Sequence, residues 1–156
     1  MNANDFSLLR AAIDVARKAR DSGNHPFGAV LVDEEGHILM EAGNTVVTEN
    51  DCTAHAELNL MRQAVRKYDR EFLAKCTIYS STEPCPMCAG AIFWGNVRRL
   101  VYGLSEEGLY EMAGEGDEEV LRLSCREVFA RGQKPIKVVG PALEKEAREV
   151  HAGFWA

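Results

Sequence analysis

Thr53-Ala54-His55-Ala56-Glu57 and Glu83-Pro84-Cys85-Pro86-Met87-Cys88 are the stretches whose joint reading decides what this chain builds. One imidazole and two thiols form a donor set suited to zinc, and three protein ligands leave the fourth position of a tetrahedral ion open. An open position distinguishes a catalytic ion from a structural one. Cys85 and Cys88 stand at i and i+3, which on a helix places both sulfurs on one face. Pro84 and Pro86 suit a helix start, where a missing N–H is no loss. The first turn of a helix leaves its N–H groups without partners and favours anions, so thiolates are at home there. His55 stands at the start of a second predicted helix. Two helix N-termini would then point at one spot.

Glu57, two residues after His55, adds a carboxylate beside the open position. Two thiolates neutralise a divalent zinc ion and a neutral imidazole adds no charge. The carboxylate is then free to take a proton from an activated water, whose pKa can fall from 15.7 to about 7 at such an ion. It can pass that proton to a ring nitrogen while the water oxygen adds to an amidine-like carbon. A second proton then goes to the exocyclic amine, and ammonia leaves. Alone, PCxxC also fits half of a zinc ribbon or a redox pair, and HAE alone means little. Together they leave room for a helix and a strand between them. A structural site would need a fourth Cys or His at similar spacing, and none stands nearby.

At 156 residues the chain is expected to form one domain, 1–156, large enough for a hydrophobic core of its own. Its net charge of −6 argues against wrapping nucleic acid, and Arg98-Arg99 is the only tight basic pair near the motifs. Of the five cysteines, Cys52, Cys76 and Cys125 show no regular spacing and read as free buried thiols. Cys52 is close enough to His55 in sequence to line the same pocket. No basic-then-apolar leader follows Met1, and no apolar run approaches the length of about 18 residues that spans a membrane. A cytoplasmic protein without membrane partners is expected.

Asp5 is a candidate cap for a first helix carrying Phe6, Leu9, Ile13 and Ala16 at helical spacing, with Gly23 past its end. Phe27 to Val32 and Ile38 to Ala42 read as strands joined through Glu34-Glu35-Gly36. Asn44 to Cys52 reads as a loop. A helix from Ala54, a strand over Cys76 to Ser80, a helix ending at Gly95 and a strand over Arg99 to Tyr102 follow. Glu106 to Glu119 reads as a long loop with at most a short helix. A helix near Val120 to Phe129, a strand over Pro135 to Val139 and a helix from Pro141 to Phe154 complete the chain. Strands alternating with helices predict a mixed sheet covered by helices.

The pattern H-x-E with P-C-x-x-C is a zinc deaminase signature. With Pro26-Phe27-Gly28-Ala29-Val30, Asn44 and the run Glu83 to Ile92, the chain resembles the cytidine deaminase superfamily, in the branch of guanine deaminases and tRNA adenosine deaminases. The resemblance implies a three-layer α/β/α fold with a mixed five-stranded sheet, usually dimeric. It implies one zinc ion per chain on His55, Cys85 and Cys88, with Glu57 as proton shuttle. It further implies that Asn44 hydrogen-bonds the base, that the Phe27 ring lies against it and that the backbone N–H of Ala56 reaches it. Phe154 and Trp155 match an aromatic C-terminal segment that closes the site in its own chain or in a partner's. Between Glu106 and Phe129 the chain departs from the guanine enzymes, which carry a substrate-contacting Asp there; Glu115 and Asp117 stand at about that distance. Acidic charge, the lack of a basic tail after Trp155, Met87 within PCxxC and Phe93-Trp94 favour a free nucleobase, guanine first. Cytosine or an amino-triazine, adenosine in tRNA, and a non-catalytic zinc-binding interaction module remain the alternatives.

Overall fold

The computed structural model describes residues 1–114 and 118–155. Helix α1 (Ala3–Asp21) leads into strands β1 (Gly28–Val32) and β2 (Ile38–Gly43). Helices α2 (Val46–Glu49), α3 (Ala56–Lys67) and α4 (Arg70–Leu73) precede β3 (Thr77–Thr82). Then come α5 (Pro86–Trp94), β4 (Arg99–Leu104), α6 (Glu106–Ala113), α7 (Cys125–Ala130), β5 (Lys137–Val139) and α8 (Glu144–Glu149). The five strands form one mixed sheet in the order β2-β1-β3-β4-β5. β1 runs antiparallel to β2 and β3, while β3, β4 and β5 are mutually parallel.

The period of β1 explains the layers. All five of its residues are buried, and successive side chains alternate between faces. Ala29 and Leu31 join the core under α3, α5 and α7, with Leu60, Ile78, Ile92 and Leu100. Val30 and Val32 join the core under α1 and α8, with Leu9, Ile13, Tyr79 and Val101. The expected sheet with helices on both faces is therefore the observed fold. Gly28 fixes how closely α1 seats on β1: a Cβ there would meet the Ala16 backbone nitrogen at 2.3 Å. Among the described residues no helix is long and apolar enough to cross a membrane.

Several local expectations are corrected. Asn2, not Asp5, caps α1; its side chain accepts from the Asp5 N–H while Asp5 accepts from the Asn2 N–H, a reciprocal capping box. α3 starts at Ala56 rather than Ala54. Residues 44–52 are not all loop, because α2 forms there, capped from outside by Asn24, whose Oδ1 accepts from Val47 and Thr48 N–H. Glu106 opens a full helix, since Ser105 caps it by accepting from Gly108 N–H. α7 begins only at Cys125, behind the Ser124 cap. Pro141 does not start the last helix. The Ala142 N–H is drawn to the Gly103 carbonyl and Leu143 takes a positive φ of 52°, so α8 begins at Glu144. It stops at Glu149, and residues 150–154 turn instead, with Gly153 at φ +74°. Cys76 and Cys125 are buried as expected, but Cys52 is exposed.

Asp5 has a larger role than a cap. It is buried at 3% exposure. Arg99 of β4 donates to both its oxygens at 3.0 Å, and Tyr79 of β3 donates to Oδ1 at 2.6 Å. This joins the start of α1 to the middle of the sheet. The Arg99 hydrogen bonds hold the Asp5 carboxyl well below the usual carboxylate range, against the opposing effect of burial. Because the folded pKa is depressed, this stabilisation is complete above about pH 4 and is lost as pH falls further. Asp5→Ala should lower the unfolding free energy in urea at pH 7 by about 2 kcal/mol, since it leaves the half-buried Arg99 guanidinium and the Tyr79 hydroxyl without their shared carboxylate. The gap from the parent should narrow at pH 3; an equal gap at both pH values would contradict the assignment.

Candidate active site

His55 is the N-cap of α3 and Cys85 the N-cap of α5, both in extended backbone conformation. Cys88 lies in the first turn of α5 and is fully buried. Cys85 thus sits one residue outside the helix rather than within it, yet the two sulfurs still converge. Cys85 Sγ lies 3.5 Å and Cys88 Sγ 3.6 Å from His55 Nδ1. A tetrahedral zinc ion with Zn–S near 2.3 Å and Zn–N of 2.0–2.1 Å would set sulfur and nitrogen about 3.6 Å apart. The three donors all fall within 4.8 Å of one another. Donor type, spacing and burial therefore fit zinc without rearrangement.

The electrostatics follow from the two helix starts. The hydrogen bond between the sulfurs lowers the Cys85 pKa and raises that of Cys88, so the pair behaves as one thiolate sharing one proton. The Leu58 N–H, from the first turn of α3, pulls Cys88 the other way. A cation bound by both sulfurs displaces that proton, so loading releases it. The hydrogen bond to Cys85 raises the His55 pKa, against burial. Glu57, in the first turn of α3, is 6% exposed. Burial, and then the negative Cys85, push its carboxyl up to about 7, while His55 opposes the rise. A carboxyl poised near neutrality against three ligands can both take and give a proton.

The loops that carry the ligands are tied down by buried and half-buried polar side chains. Asn59 of α3 donates through Nδ2 to Gly43 O, Thr45 Oγ1 and Ala54 O. Glu83, immediately before Pro84-Cys85, spreads its carboxylate over two helix starts. Oε1 accepts from Glu106 N–H of α6 and Oε2 from Cys125 N–H of α7, both at 3.0 Å. An anion at two helix N-termini is well placed. Thr45 Oγ1 also donates to Glu49 within the same loop.

Asn44 is buried at 2% exposure beside this loop. Its Oδ1 accepts from Val46 N–H, and its own N–H donates to Phe27 O. The acceptor is thus used as a cap, leaving the NH₂ as the group it can offer a ligand. Ala56 is the first residue of α3, where the helix leaves the N–H without an internal partner. Phe27 is half-buried, with its ring edge-on to His151 at 5.3 Å and tilted against Trp155 at 6.1 Å. Phe154 and Trp155 therefore fold back onto this region within their own chain. Asp117 and Glu115, expected as substrate contacts, lie outside the described residues. His25 and His151 were not anticipated: a lone histidine gives no local signal, and only the fold brings them to Trp155. His25 also feels the charge of His55, after burial the second cause of its lowered pKa.

Residues 2–104 match the family model described as the cytidine and deoxycytidylate deaminase zinc-binding region. A "Probable cytosine deaminase" of Schizosaccharomyces pombe is 44% identical over 156 residues, 99% of this chain and 94% of that protein. A tRNA-specific adenosine deaminase of Haemophilus influenzae is 40% identical over 102 residues, 65% of this chain and 59% of that one. Among solved structures, the guanine deaminase of Nitrosomonas europaea superposes with a TM-score of 0.78 at 25% identity, covering 97% of this chain and 86% of that chain.

Protein isolated in zinc-containing medium should carry one zinc ion per chain by elemental analysis. Cys88→Ala should retain less than a tenth of it under the same chelator wash, whereas Cys52→Ala, an exposed thiol, should retain it all. Equal metal in all three would remove the ligand assignment.

Proposed function

This chain belongs to the cytidine and deoxycytidylate deaminase family, and we propose that within it the chain hydrolyses the exocyclic amine of a free aminated nucleobase, a cytosine-type ring first. The observation that carries the reaction is the buried Glu57 carboxyl beside three convergent zinc donors. Support for the ring comes from the Schizosaccharomyces pombe relative, a probable cytosine deaminase, which aligns over 99% of this chain. The tRNA-acting relative aligns over 65% of the chain, and the net charge of −6 disfavours a phosphate backbone. Guanine is the second reading, supported by the structural likeness to a guanine deaminase over nearly the full chain.

A zinc ion held by His55, Cys85 and Cys88 would supply Lewis-acid activation of water at neutral pH. The remaining work falls to the chain itself. Glu57 accepts a proton from the attacking water and delivers it to the ring nitrogen of the amidine. As the water oxygen bonds to the ring carbon, Glu57 takes the second proton and passes it to the amine. The C–N bond then breaks, a ring carbonyl remains, and ammonia departs. The Asn44 NH₂ offers a donor to a ring carbonyl, which cytosine and guanine both carry. The Phe27 face packs against the ring plane, and the start of α3, with the Ala56 N–H, favours the developing negative charge.

We propose that the same protein pairs with a second copy of itself. α5 is apolar on every side, yet Met87 and Trp94 on it, and Val65 on α3, are exposed; such a helix ordinarily has all sides covered. Sedimentation should give twice the mass of one chain, and a monomer at all concentrations would contradict the pairing.

The zinc-loaded protein, given a panel of free bases, nucleosides and an anticodon stem-loop, should release ammonia from cytosine or guanine. Release only from the RNA would replace this reading with tRNA editing. Glu57→Gln should keep its zinc and lose on the order of 10²–10⁴-fold in kcat. Unchanged turnover would leave a zinc-binding module with another role.

A further inference from the structure

We propose that Arg20 and His151 are positioning residues that lock Trp155 against the base pocket and thereby set how large a ring the site accepts. The inference rests on the deaminase reading of the site. It starts from the turn at residues 150–155, which leaves α8 and crosses back to α1 and Phe27. Arg20, in the last turn of α1, donates through Nη1 to the carbonyls of Val150 and Ala152, at 2.8 and 2.7 Å. These are the peptide carbonyls on either side of His151. The same guanidinium lies over the Phe154 ring, 5.5 Å from its centre. A rigid helix seated on β1 by backbone contact at Gly28 therefore holds the turn from below.

His151 holds it from within. Its ring is 1% exposed, and Trp155 Nε1–H donates to its Nδ1 at 3.0 Å. An indole nitrogen can only donate, so Nδ1 must accept, and a neutral ring then carries its proton on Nε2. Burial, and next the charge of Arg20, lower the His151 pKa to about 4, which keeps the acceptor available at neutral pH. The His151 and Trp155 rings lie edge to edge with near-parallel planes, 17° apart and 6.1 Å between centres, as an in-plane N–H···N bond requires, and Phe27 touches both. His25 meets Trp155 at 5.7 Å and Phe154 at 5.8 Å on the other side. Phe27 O accepts from Asn44 N–H, which joins the cluster to the proposed base-binding loop. Trp155 is thus a fixed wall with one polar anchor and one cationic anchor. Without either, the ring can swing away, and a two-ring base gains room that a one-ring base does not need.

The test uses the full chain in a Trp94→Phe background, so that Trp155 is the only indole; Trp94 is 75% exposed on α5, and phenylalanine keeps an aromatic ring at the proposed pairing surface. His151→Phe keeps the bulk and removes the acceptor; Arg20→Met removes the carbonyl clamp and covers the case in which the first variant does not fold. Each should lower the steady-state anisotropy of Trp155 and shift kcat/KM at least tenfold toward guanine over cytosine. His151→Asn, which keeps an acceptor, should restore part of both. Unchanged anisotropy overturns the proposal whatever the activity, and lower anisotropy with an unchanged base ratio overturns the specificity claim. If the parent turns over no base, the deaminase reading has failed, and the anisotropy result still decides whether Arg20 and His151 anchor Trp155.

Discussion

The meeting of two helix N-termini, α3 at His55 and α5 at Cys85, is the constraint on which the rest of this structure depends. Each terminus brings unpaired N–H groups and a positive dipole end, which together tolerate thiolates and a carboxylate in one small volume. The helices meet there because their bodies pack together under the sheet. Leu60 and Met61 of α3 share a core with Ala89 and Ile92 of α5. At the end of α5, Gly95 leaves room for the tip of the Met61 side chain, which a Cβ there would meet at 2.0 Å. Packing thus sets donor spacing, donor spacing sets the metal preference, and the leftover first-turn position of α3 supplies Glu57.

A second tier of buried polar contacts keeps that meeting point in register. Asn59 secures the loop before α3, and Glu83 secures the loop before α5 while gathering the starts of α6 and α7. On the opposite face Asp5 and Arg99 pin α1 to the sheet, and Arg20 at the other end of α1 holds the turn that carries Phe154 and Trp155. α1 therefore links the stability of the fold to the turn beside Phe27, although none of its residues belongs to the His55, Cys85 and Cys88 cluster.

The convergence of His55, Cys85 and Cys88 is legible in the sequence because these residues sit in short, spaced motifs whose helix-start context is local. The sheet was readable because the apolar run at β1 and the alternation of strands and helices are also local. What could not be read depends on partners far away in the chain. Asp5 looks like a cap until Arg99 arrives from β4. The helix expected from Pro141 to Phe154 fails because Gly103 and Arg20 take backbone groups on either side of a much shorter α8. Within residues 44–52 a short α2 forms because Asn24, just past the end of α1, caps it together with Asn44. His25 and His151 carry no pattern of their own and gain meaning only from the ring cluster around Phe27. The choice of base follows the same logic: it depends on walls built by loops and by the turn at 150–155, so the motif that identifies the chemistry does not identify the ring.

The proposed zinc position has three protein donors and one open coordination site. Replacing the metal with cobalt(II) tests it most directly, through the visible spectrum of the loaded protein before and after a base is added. One ion per chain, intense tetrahedral d–d bands, thiolate-to-metal charge transfer and a clear spectral change when cytosine or guanine enters are the expected result. Weak octahedral bands without charge transfer, or a tetrahedral spectrum that no base perturbs, would contradict it.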